Sequence, residues 1–416
     1  MPRAPIRQCA ILVGGRGTRL GALTATTPKP ALEVGGRPFL AWLMREWQRF
    51  GIEEFVLLAG HLSDALTAAV AATEATLPRP ARIRISVEPE PAGTGGALRH
   101  AAPLLAPEFV LCNGDSLFDA NLAALLAARA ADPEPVLGRM LLRALPDASR
   151  YGVVALHDGQ VTAFRERPAP GEAGTEAGII NAGIYVLDRA VLDRIAPVCS
   201  LERDVLPGLA AAGALAGSLA DGWFIDIGVP EDLARARGEV AARLHRPALF
   251  LDRDGVLNHD HGHVGTRDRW DWIDGARAAI AAATARGWHV FVVTNQSGVA
   301  RGMYDEAAVR DLLGWVGDEV RAAGGTIDDA RYCPFHPEAP LPAYRQASDW
   351  RKPGPGMLAD LIRAWELDPA RCLLVGDQPT DVAAAAAAGV RGHLFPGGDL
   401  TAFVVPLLDA EGGGAG

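Results

Sequence analysis

Residues 247–258 read PALFLDRDGVLN. The short apolar run Ala248–Leu251 has the length and composition of a buried strand. It ends in Asp252, with Asp254 two residues on and Gly255 after it. A carboxylate presented at a strand end can attack phosphorus, and a second one beside it can give and take a proton. Two aspartates this close repel each other, so the pair calls for a cation.

Three later segments supply what such a site needs. VVTNQSG (292–298) brings Thr294 and Asn295 to a strand end, where they can hydrogen-bond phosphoryl oxygens. DWRKPGPG (349–356) offers Lys352 as a fixed cation, and LLVGDQPTD (373–381) offers Asp377 as a metal ligand with Asp381 behind it. Asp252 and Asp254 complete the expected ligand set. Around these motifs the chain alternates strand and helix patterns: ALFLD, GARAAIAAATARG, HVFVVTN, EAAVRDLLGWVGDEVRAAG, CLLVGD, DVAAAAAAG. That alternation predicts a parallel sheet covered by helices, with ligands beyond the carboxyl ends of the strands.

The first half shows a second, unrelated series of the same kind. QCAILV, EFVLLAG, RIRISVEP and EFVLCNGD read as strands, and 38–51 and 61–75 as helices. From about Arg143 the pattern changes: a hairpin is expected through Asp158-Gly159, a strand at GIINAGIYVLD, a second hairpin at GSLADGWFIDIG, and a helix from Pro230 to Leu244. The boundary falls at 244–247, giving domains 1–244 and 247–408, and the tail EGGGAG is expected to be disordered.

This first half carries its own phosphate signals. VGGRGTRL (13–20) places Gly14, Gly15 and Gly17 after a strand, where backbone N–H groups can approach a phosphate chain; Arg16 and Arg19 add charge and Thr18 lies between them. The pattern is neither a Walker loop nor a dinucleotide fingerprint. TPKPAL (27–32) fixes Lys29 between two prolines. EPAGTGGAL (90–98) adds Gly93, Thr94 and Gly95, and Asp115 and Asp226 each follow an apolar strand, able to share one Mg²⁺.

The ordered set from 8 to about 240 resembles the sugar-1-phosphate nucleotidyltransferases. The resemblance implies that Gly14 to Arg19 hold the nucleoside triphosphate, that Lys29 contacts phosphate, and that Gly93 to Gly96 lie near base and sugar. It implies Mg²⁺ on Asp115 and Asp226, with Glu166 and Asn181 facing the sugar. Arg167 stands where such chains usually have lysine, which keeps the charge but not the compact ammonium. The second half resembles the haloacid dehalogenase phosphatases, and within them the heptose bisphosphate and histidinol phosphate branch, through DRDGVLN, DHGHV, TNQSGVARG, CPFHPE and RKPGPGM. That resemblance assigns Arg351 to substrate recognition. Many members of the branch hold a structural zinc with one cysteine and one histidine and a later cysteine pair. Here Cys333 remains, Phe335 replaces the histidine, and Ser348 and Trp350 replace the pair. Cys333 and His336 cannot make a four-ligand site, so zinc is expected to be absent and the loop held by packing around Trp350 and Tyr344.

The implied architecture is α/β throughout. An N-terminal Rossmann-like domain has a mixed sheet, and a C-terminal Rossmannoid domain lacks a large cap, the stretch from Asp252 to Thr294 being too short for one. The implied activity is bifunctional: a sugar bisphosphate loses one phosphate, and the sugar 1-phosphate is joined to a nucleotide, with GTP and heptose expected and Mg²⁺ at both sites. Two rivals stand beside it. One pairs mannose-1-phosphate guanylyl transfer, or uridylyl transfer, with a histidinol-phosphate-like phosphatase; the other makes one domain a degenerate binding or regulatory module.

Composition narrows the setting. The 416 residues carry a formal net charge of -10 and no basic run, which excludes nucleic acid as a partner bound by bulk charge. Five scattered cysteines make no disulfide framework and point to a reducing compartment. The first apolar run is too short for a signal peptide, and none reaches the length of a membrane span. A cytoplasmic enzyme of small-molecule substrates is expected, with a homo-oligomer left open.

Overall fold

The computed structural model describes residues 3–15, 18–60, 62–148, 151–165 and 177–412. Its contacts divide the chain into two compact units, Met1–Arg243 and Leu244–Gly416.

The first unit runs β1 (Gln8–Leu12), a small ribbon of β2 (Glu33–Val34) and β3 (Arg37–Pro38), α1 (Phe39–Arg49), β4 (Glu54–Ala59), α2 (Ser63–Glu74), β5 (Arg82–Val87), α3 (Gly93–His100), β6 (Glu108–Asn113), β7 (Ser116–Asp119) and α4 (Leu122–Ala130). It continues with β8 (Gly138–Leu145), β9 (Val153–His157), β10 (Gln160–Arg165), β11 (Gly178–Asp188), α5 (Leu206–Ala211), β12 (Leu215–Leu219), β13 (Trp223–Asp226) and α6 (Pro230–Leu244). Nine strands form one sheet in the order β5-β4-β1-β6-β11-β8-β12-β10-β9. The β5-β4-β1-β6 half is parallel, whereas β11 runs antiparallel to both β6 and β8, so the sheet is mixed. Alternate residues of β1 feed opposite faces: Ala10 packs with Leu58 and Leu111, and Cys9 and Ile11 pack with Trp47 and Phe55. Both faces are therefore apolar, as a sheet covered on two sides requires.

The hairpin β9–β10 turns at Asp158 (φ 48°) and Gly159 (φ 76°), a turn with two positive φ values that matches strand twist. The second expected hairpin is not one. β12 lies between β8 and β10 in the large sheet, while β13 pairs with β7 in a separate ribbon. The Asp221-Gly222 turn signal is local; the partners are chosen by which strand edges the fold leaves open.

The second unit runs β14 (Ala248–Leu251), α7 (Ala276–Ala285), β15 (His289–Asn295), α8 (Ser297–Ala300), α9 (Glu306–Ala322), β16 (Asp329–Cys333), α10 (Gly356–Trp365), β17 (Cys372–Gly376), α11 (Pro379–Ala387), β18 (Arg391–Leu394) and α12 (Leu400–Gly412). Its sheet, β16-β15-β14-β17-β18, is parallel throughout. Leu249 and Leu251 enter the core under α7 and α12, and Ala248 and Phe250 the core under α10 and α11. Between β14 and α7 the described chain holds only loop and one short turn at Arg267–Arg269, with no inserted domain. The tail expected to be disordered is helical at Glu411 and Gly412 and otherwise lies outside the described residues. No helix among the described residues is long and apolar enough to cross a membrane.

Two candidate active sites

In the second unit, three neighbouring parallel strands deliver the site. Asp252 follows β14, Thr294 and Asn295 end β15, and Asp377 follows β17, so all lie beyond carboxyl ends in the strand order β15-β14-β17. Asp252, Asp377 and Asp381 each place a carboxylate oxygen within 4.8 Å of the others. Lys352 stands over this group. Its Nζ lies 2.8 Å from Asp252 Oδ1 and 2.6 Å from Asp381 Oδ1, and donates to the Val293 carbonyl at 3.0 Å. The ammonium thus pairs with two carboxylates while donating to a backbone carbonyl.

Burial pushes the Asp252 carboxyl up to about 7; the Lys352 ammonium opposes this and the Asp381 charge adds to it. Burial also raises Asp377, helped by Asp381 and opposed by the Gln378 side chain. Burial works against the Lys352 ammonium, but the two carboxylates outweigh it and hold its pKa above the ordinary value. Three crowded carboxylates around one lysine could hold a hard, oxygen-ligated cation.

Glycines make this packing feasible. A Cβ on Gly376 would meet the Asp381 Cβ at 2.2 Å, and one on Gly255 (φ +85°) would meet an Asp377 oxygen at 2.4 Å. The Lys352 loop is tied to β15 reciprocally: the Asn295 amide donates to the Lys352 carbonyl at 3.2 Å, and the Lys352 N–H donates to Asn295 Oδ1 at 3.0 Å.

In the first unit, the carboxyl ends of β1, β4, β5 and β6 open on a cavity of about 500 Å³. Gly14, Gly15, Lys29, Glu88, Asn113 and Asp115 are among its lining residues. Lys29 Nζ donates to Asp115 Oδ2 at 2.9 Å. Asp226 is carried beside Asp115 by the ribbon: it pairs opposite Ser116, and the Ile227 N–H donates to the Asp115 carbonyl at 2.9 Å. Burial raises the Asp226 carboxyl, the Asp115 charge raises it further, and Lys29 and Arg19 oppose. Close backbone approach is built in here too, since a Cβ on Gly114 would lie 2.5 Å from the Leu12 carbonyl oxygen.

Residues 9–243 match the nucleotidyl transferase family, and residues 349–402 the HAD-hydrolase-like family. Over 168 residues, 40% of this chain and 93% of the relative, the sequence is 51% identical to D-glycero-beta-D-manno-heptose-1,7-bisphosphate 7-phosphatase of Rhodopseudomonas palustris. The chain belongs to the nucleotidyl transferase family and carries a haloacid dehalogenase-like hydrolase unit. Two further relatives of the hydrolase unit are the beta-named enzyme of Escherichia coli K12, 42% identical over 144 residues (35% of this chain, 75% of the relative), and D-glycero-alpha-D-manno-heptose-1,7-bisphosphate 7-phosphatase of Burkholderia mallei, 41% identical over 143 residues (34% and 76%). Among solved structures, HddC from Yersinia pseudotuberculosis shares 28% identity, covering 56% of this chain and 100% of its own, with a TM-score of 0.49; another structure of it is a complex with GMP-PN.

In the transferase unit the structure gathers Gly14, Gly15, Lys29, Gly93, Thr94 and Asp115 around the cavity, with Asp226 beside Asp115 and Arg19 near Asp226. Gly95 does not face it. It lies in the first turn of α3, where a Cβ would strike the Cys199 sulfur at 2.6 Å, so its smallness serves helix packing. Asn181 sits at a bulge of β11, accepting the Gly183 N–H at 2.9 Å, and is not among the lining residues. Arg16, Gly17, Glu166, Arg167 and the Thr18 side chain lie outside the described residues. Asn113 and Asp115, from a turn expected at the ligand end of its strand, do line the cavity, whereas Glu88 and Glu202 were not singled out in the sequence; Glu202 accepts the Thr94 Oγ1 proton at 2.7 Å across the fold.

In the hydrolase unit two expectations change. Asp381, placed behind the site, belongs to the carboxylate group, and Asp254, placed in the metal set, does not. The Asp254 carboxylate turns instead to the Arg253 guanidinium at 2.8 Å and the Asn258 amide at 3.0 Å. A side chain beginning at a strand end points where its neighbours' donors pull it, which spacing does not record. Asn295 positions the Lys352 loop. Cys333 is buried, with Phe335 against Tyr344 (ring centroids 6.0 Å apart) and Trp350 packed on the same core as Cys333. Arg351 keeps Nη1 buried without a hydrogen-bond partner. Burial, then the charges of Arg351 and Arg301, hold His336 below its ordinary pKa.

Proposed function

We propose that the chain makes a nucleotide-activated heptose in two consecutive steps. The hydrolase unit removes the 7-phosphate of D-glycero-D-manno-heptose 1,7-bisphosphate. The transferase unit then moves GMP from GTP onto heptose 1-phosphate and releases pyrophosphate. One observation carries the reading: relatives of the hydrolase unit are named for heptose bisphosphate, and removal of their 7-phosphate leaves a sugar 1-phosphate, the substrate class of the unit fused to it. Guanine rests on VGGRGTRL and EPAGTGGAL, which look most like guanylyl-transferring chains. The α anomer is our reading; the β anomer is the second, favoured by the names of the more similar relatives.

In the hydrolase site Asp252 attacks phosphorus, the bond from phosphorus to the sugar oxygen breaks, and that oxygen takes a proton from Asp254. A water then attacks the aspartyl phosphate, its proton goes to Asp254, and Asp252 is freed. Lys352 opposes protonation of Asp252 and holds it in place; Thr294 donates to a phosphoryl oxygen. Arg351, with its open Nη1, and Arg301 receive the phosphate that stays on the sugar.

In the transferase site a sugar phosphate oxygen attacks the α-phosphorus. Catalysis is positioning and charge neutralisation by Lys29 and Arg19, with the β1 glycine loop holding the triphosphate. Both carboxylate sets fit Mg²⁺: Asp252, Asp377 and Asp381 in one unit, Asp115 and Asp226 in the other. Bound there, the ion supplies positive charge to phosphate oxygens. A cytoplasmic setting agrees with five free cysteines.

A one-pot assay tests the whole reading. The α or β bisphosphate is supplied with Mg²⁺ and one nucleoside triphosphate at a time, and products are followed by mass spectrometry. GDP-heptose from the α anomer with GTP is expected. Phosphate without nucleotide sugar would sink the sugar or base choice, and no phosphate release would sink the heptose assignment.

A further inference from the structure

Gln296 is buried between the end of β15 and α8, and its amide is fully used. Nε2 donates to Asp254 Oδ2 at 3.0 Å and to Thr294 Oγ1 at 2.9 Å, while Oε1 accepts the Tyr304 hydroxyl proton at 2.9 Å. An amide has one donor end and one acceptor end. Turned over, it would point its oxygen at the Asp254 carboxylate and its NH₂ at Tyr304. The tyrosine hydroxyl therefore decides which end faces the site.

The Tyr304 ring has a slot made for it. A Cβ on Gly265 would meet the ring at 2.2 Å, and one on Gly298 would meet it at 2.3 Å. Burial, with the Asp254 charge adding and Arg253 opposing, raises the Tyr304 hydroxyl pKa, so it stays a proton donor. Because Thr294 Oγ1 accepts from Gln296, its own proton is left to donate elsewhere.

We propose that Tyr304, acting through Gln296, is a positioning residue that aims the Asp254 carboxyl at the leaving oxygen and the Thr294 hydroxyl at the phosphoryl group. This rests on the phosphatase reading above. The relay does not touch substrate. Its effect falls on the step in which the sugar oxygen, as it parts from phosphorus, takes the Asp254 proton. A leaving group that departs without a proton needs no such aim.

The test compares two substrates in the full-length protein with Mg²⁺: the heptose bisphosphate, whose leaving group is an alkoxide, and p-nitrophenyl phosphate, whose leaving group departs unprotonated. Tyr304→Phe is expected to lower kcat for the bisphosphate about tenfold more than kcat for the aryl ester, roughly one well-placed hydrogen bond. Adding Gln296→Leu to it should cost little beyond Gln296→Leu alone, since both act through one path. Equal losses on both substrates, or none, would overturn the relay while leaving the phosphatase reading intact. Wild-type protein inactive on both would overturn the reading and the relay with it. If Tyr304→Phe does not fold, Gln296→Leu alone must show the same selective loss for the relay to stand.

Discussion

Lys352 Nζ and Asp252 Oδ1 stand 2.8 Å apart, with only 2% and 11% of their side chains exposed. The lysine also faces Asp381 at 2.6 Å, so one ammonium is shared between two buried carboxylates. Removing one member of a buried charge cluster costs about 3–5 kcal/mol, because the charge left behind has no solvent. Lys352→Met should therefore lower the unfolding free energy of the hydrolase unit, read from urea denaturation, by that amount as well as stop phosphate release. A stable but inactive variant would mean the cluster is hydrated or protonated rather than ion-paired.

The same cluster sets a pH trend for the metal-free protein. The folded pKa of Asp252 lies at about 7, above its ordinary 3.8, so the native state binds more protons between those values than the unfolded state. Its contribution to stability is present below the unfolded value and is lost as pH rises through about 7. Asp377 shifts in the same direction. In chelator, the melting temperature of the hydrolase unit should fall from pH 5 to pH 7.5, and added Mg²⁺ should restore it most at the higher pH. Melting curves with and without Mg²⁺ at each pH check this; a Mg²⁺ effect independent of pH would contradict it.

Lys29, held 2.9 Å from Asp115, is the cation proposed above to neutralise the triphosphate. Lys29→Ala should lower kcat for nucleotidyl transfer about 10²–10³-fold, the usual loss of one fixed charge donor. Phosphate release should persist. The reciprocal variant, Asp252→Asn, should abolish phosphate release and keep nucleotidyl transfer, read with heptose 1-phosphate supplied directly. Loss of both activities in either variant would show that the units do not act independently.

Arg351 has a buried, unpartnered Nη1, and its charge and that of Arg301 both bear on His336. Each of Arg351→Ala and Arg301→Ala should raise KM for the bisphosphate about tenfold, the worth of a charge-assisted hydrogen bond. The ratio of kcat/KM for bisphosphate to that for p-nitrophenyl phosphate measures it. A ratio equal to wild type would remove that arginine from recognition of the second phosphate.

Much of both sites was legible because their residues sit at the ends of apolar runs. Asp252, Thr294 and Asp377 end or follow strands whose burial the sequence already announces, and so does Asp115. The exchange between Asp254 and Asp381 was not legible. It depends on Arg253, Asn258 and Gln296 holding the Asp254 carboxylate by their own donors, apart from the other three, and on Gly376 leaving room for Asp381. Gln296 lies inside the quoted VVTNQSG string, but nothing there shows that its amide bridges two site residues. The expected hairpin at GSLADGWFIDIG failed for a related reason. A turn signal reports that the chain reverses, not which strands lie free to pair.

Sequence alone settled the α/β alternation and the two units, and marked which strand ends are candidates for phosphate chemistry, since hydrophobic period and the punctuation of glycine and aspartate are local properties. Tertiary structure alone decided which of those groups meet. It was the pairing of β13 with β7, an association of segments more than a hundred residues apart, that set Asp226 beside Asp115. It was the stacking of β15, β14 and β17 that brought Asp252, Lys352 and Asp381 together. Long-range pairing depends on every edge and face competing for partners at once, and that competition is resolved only in the folded chain.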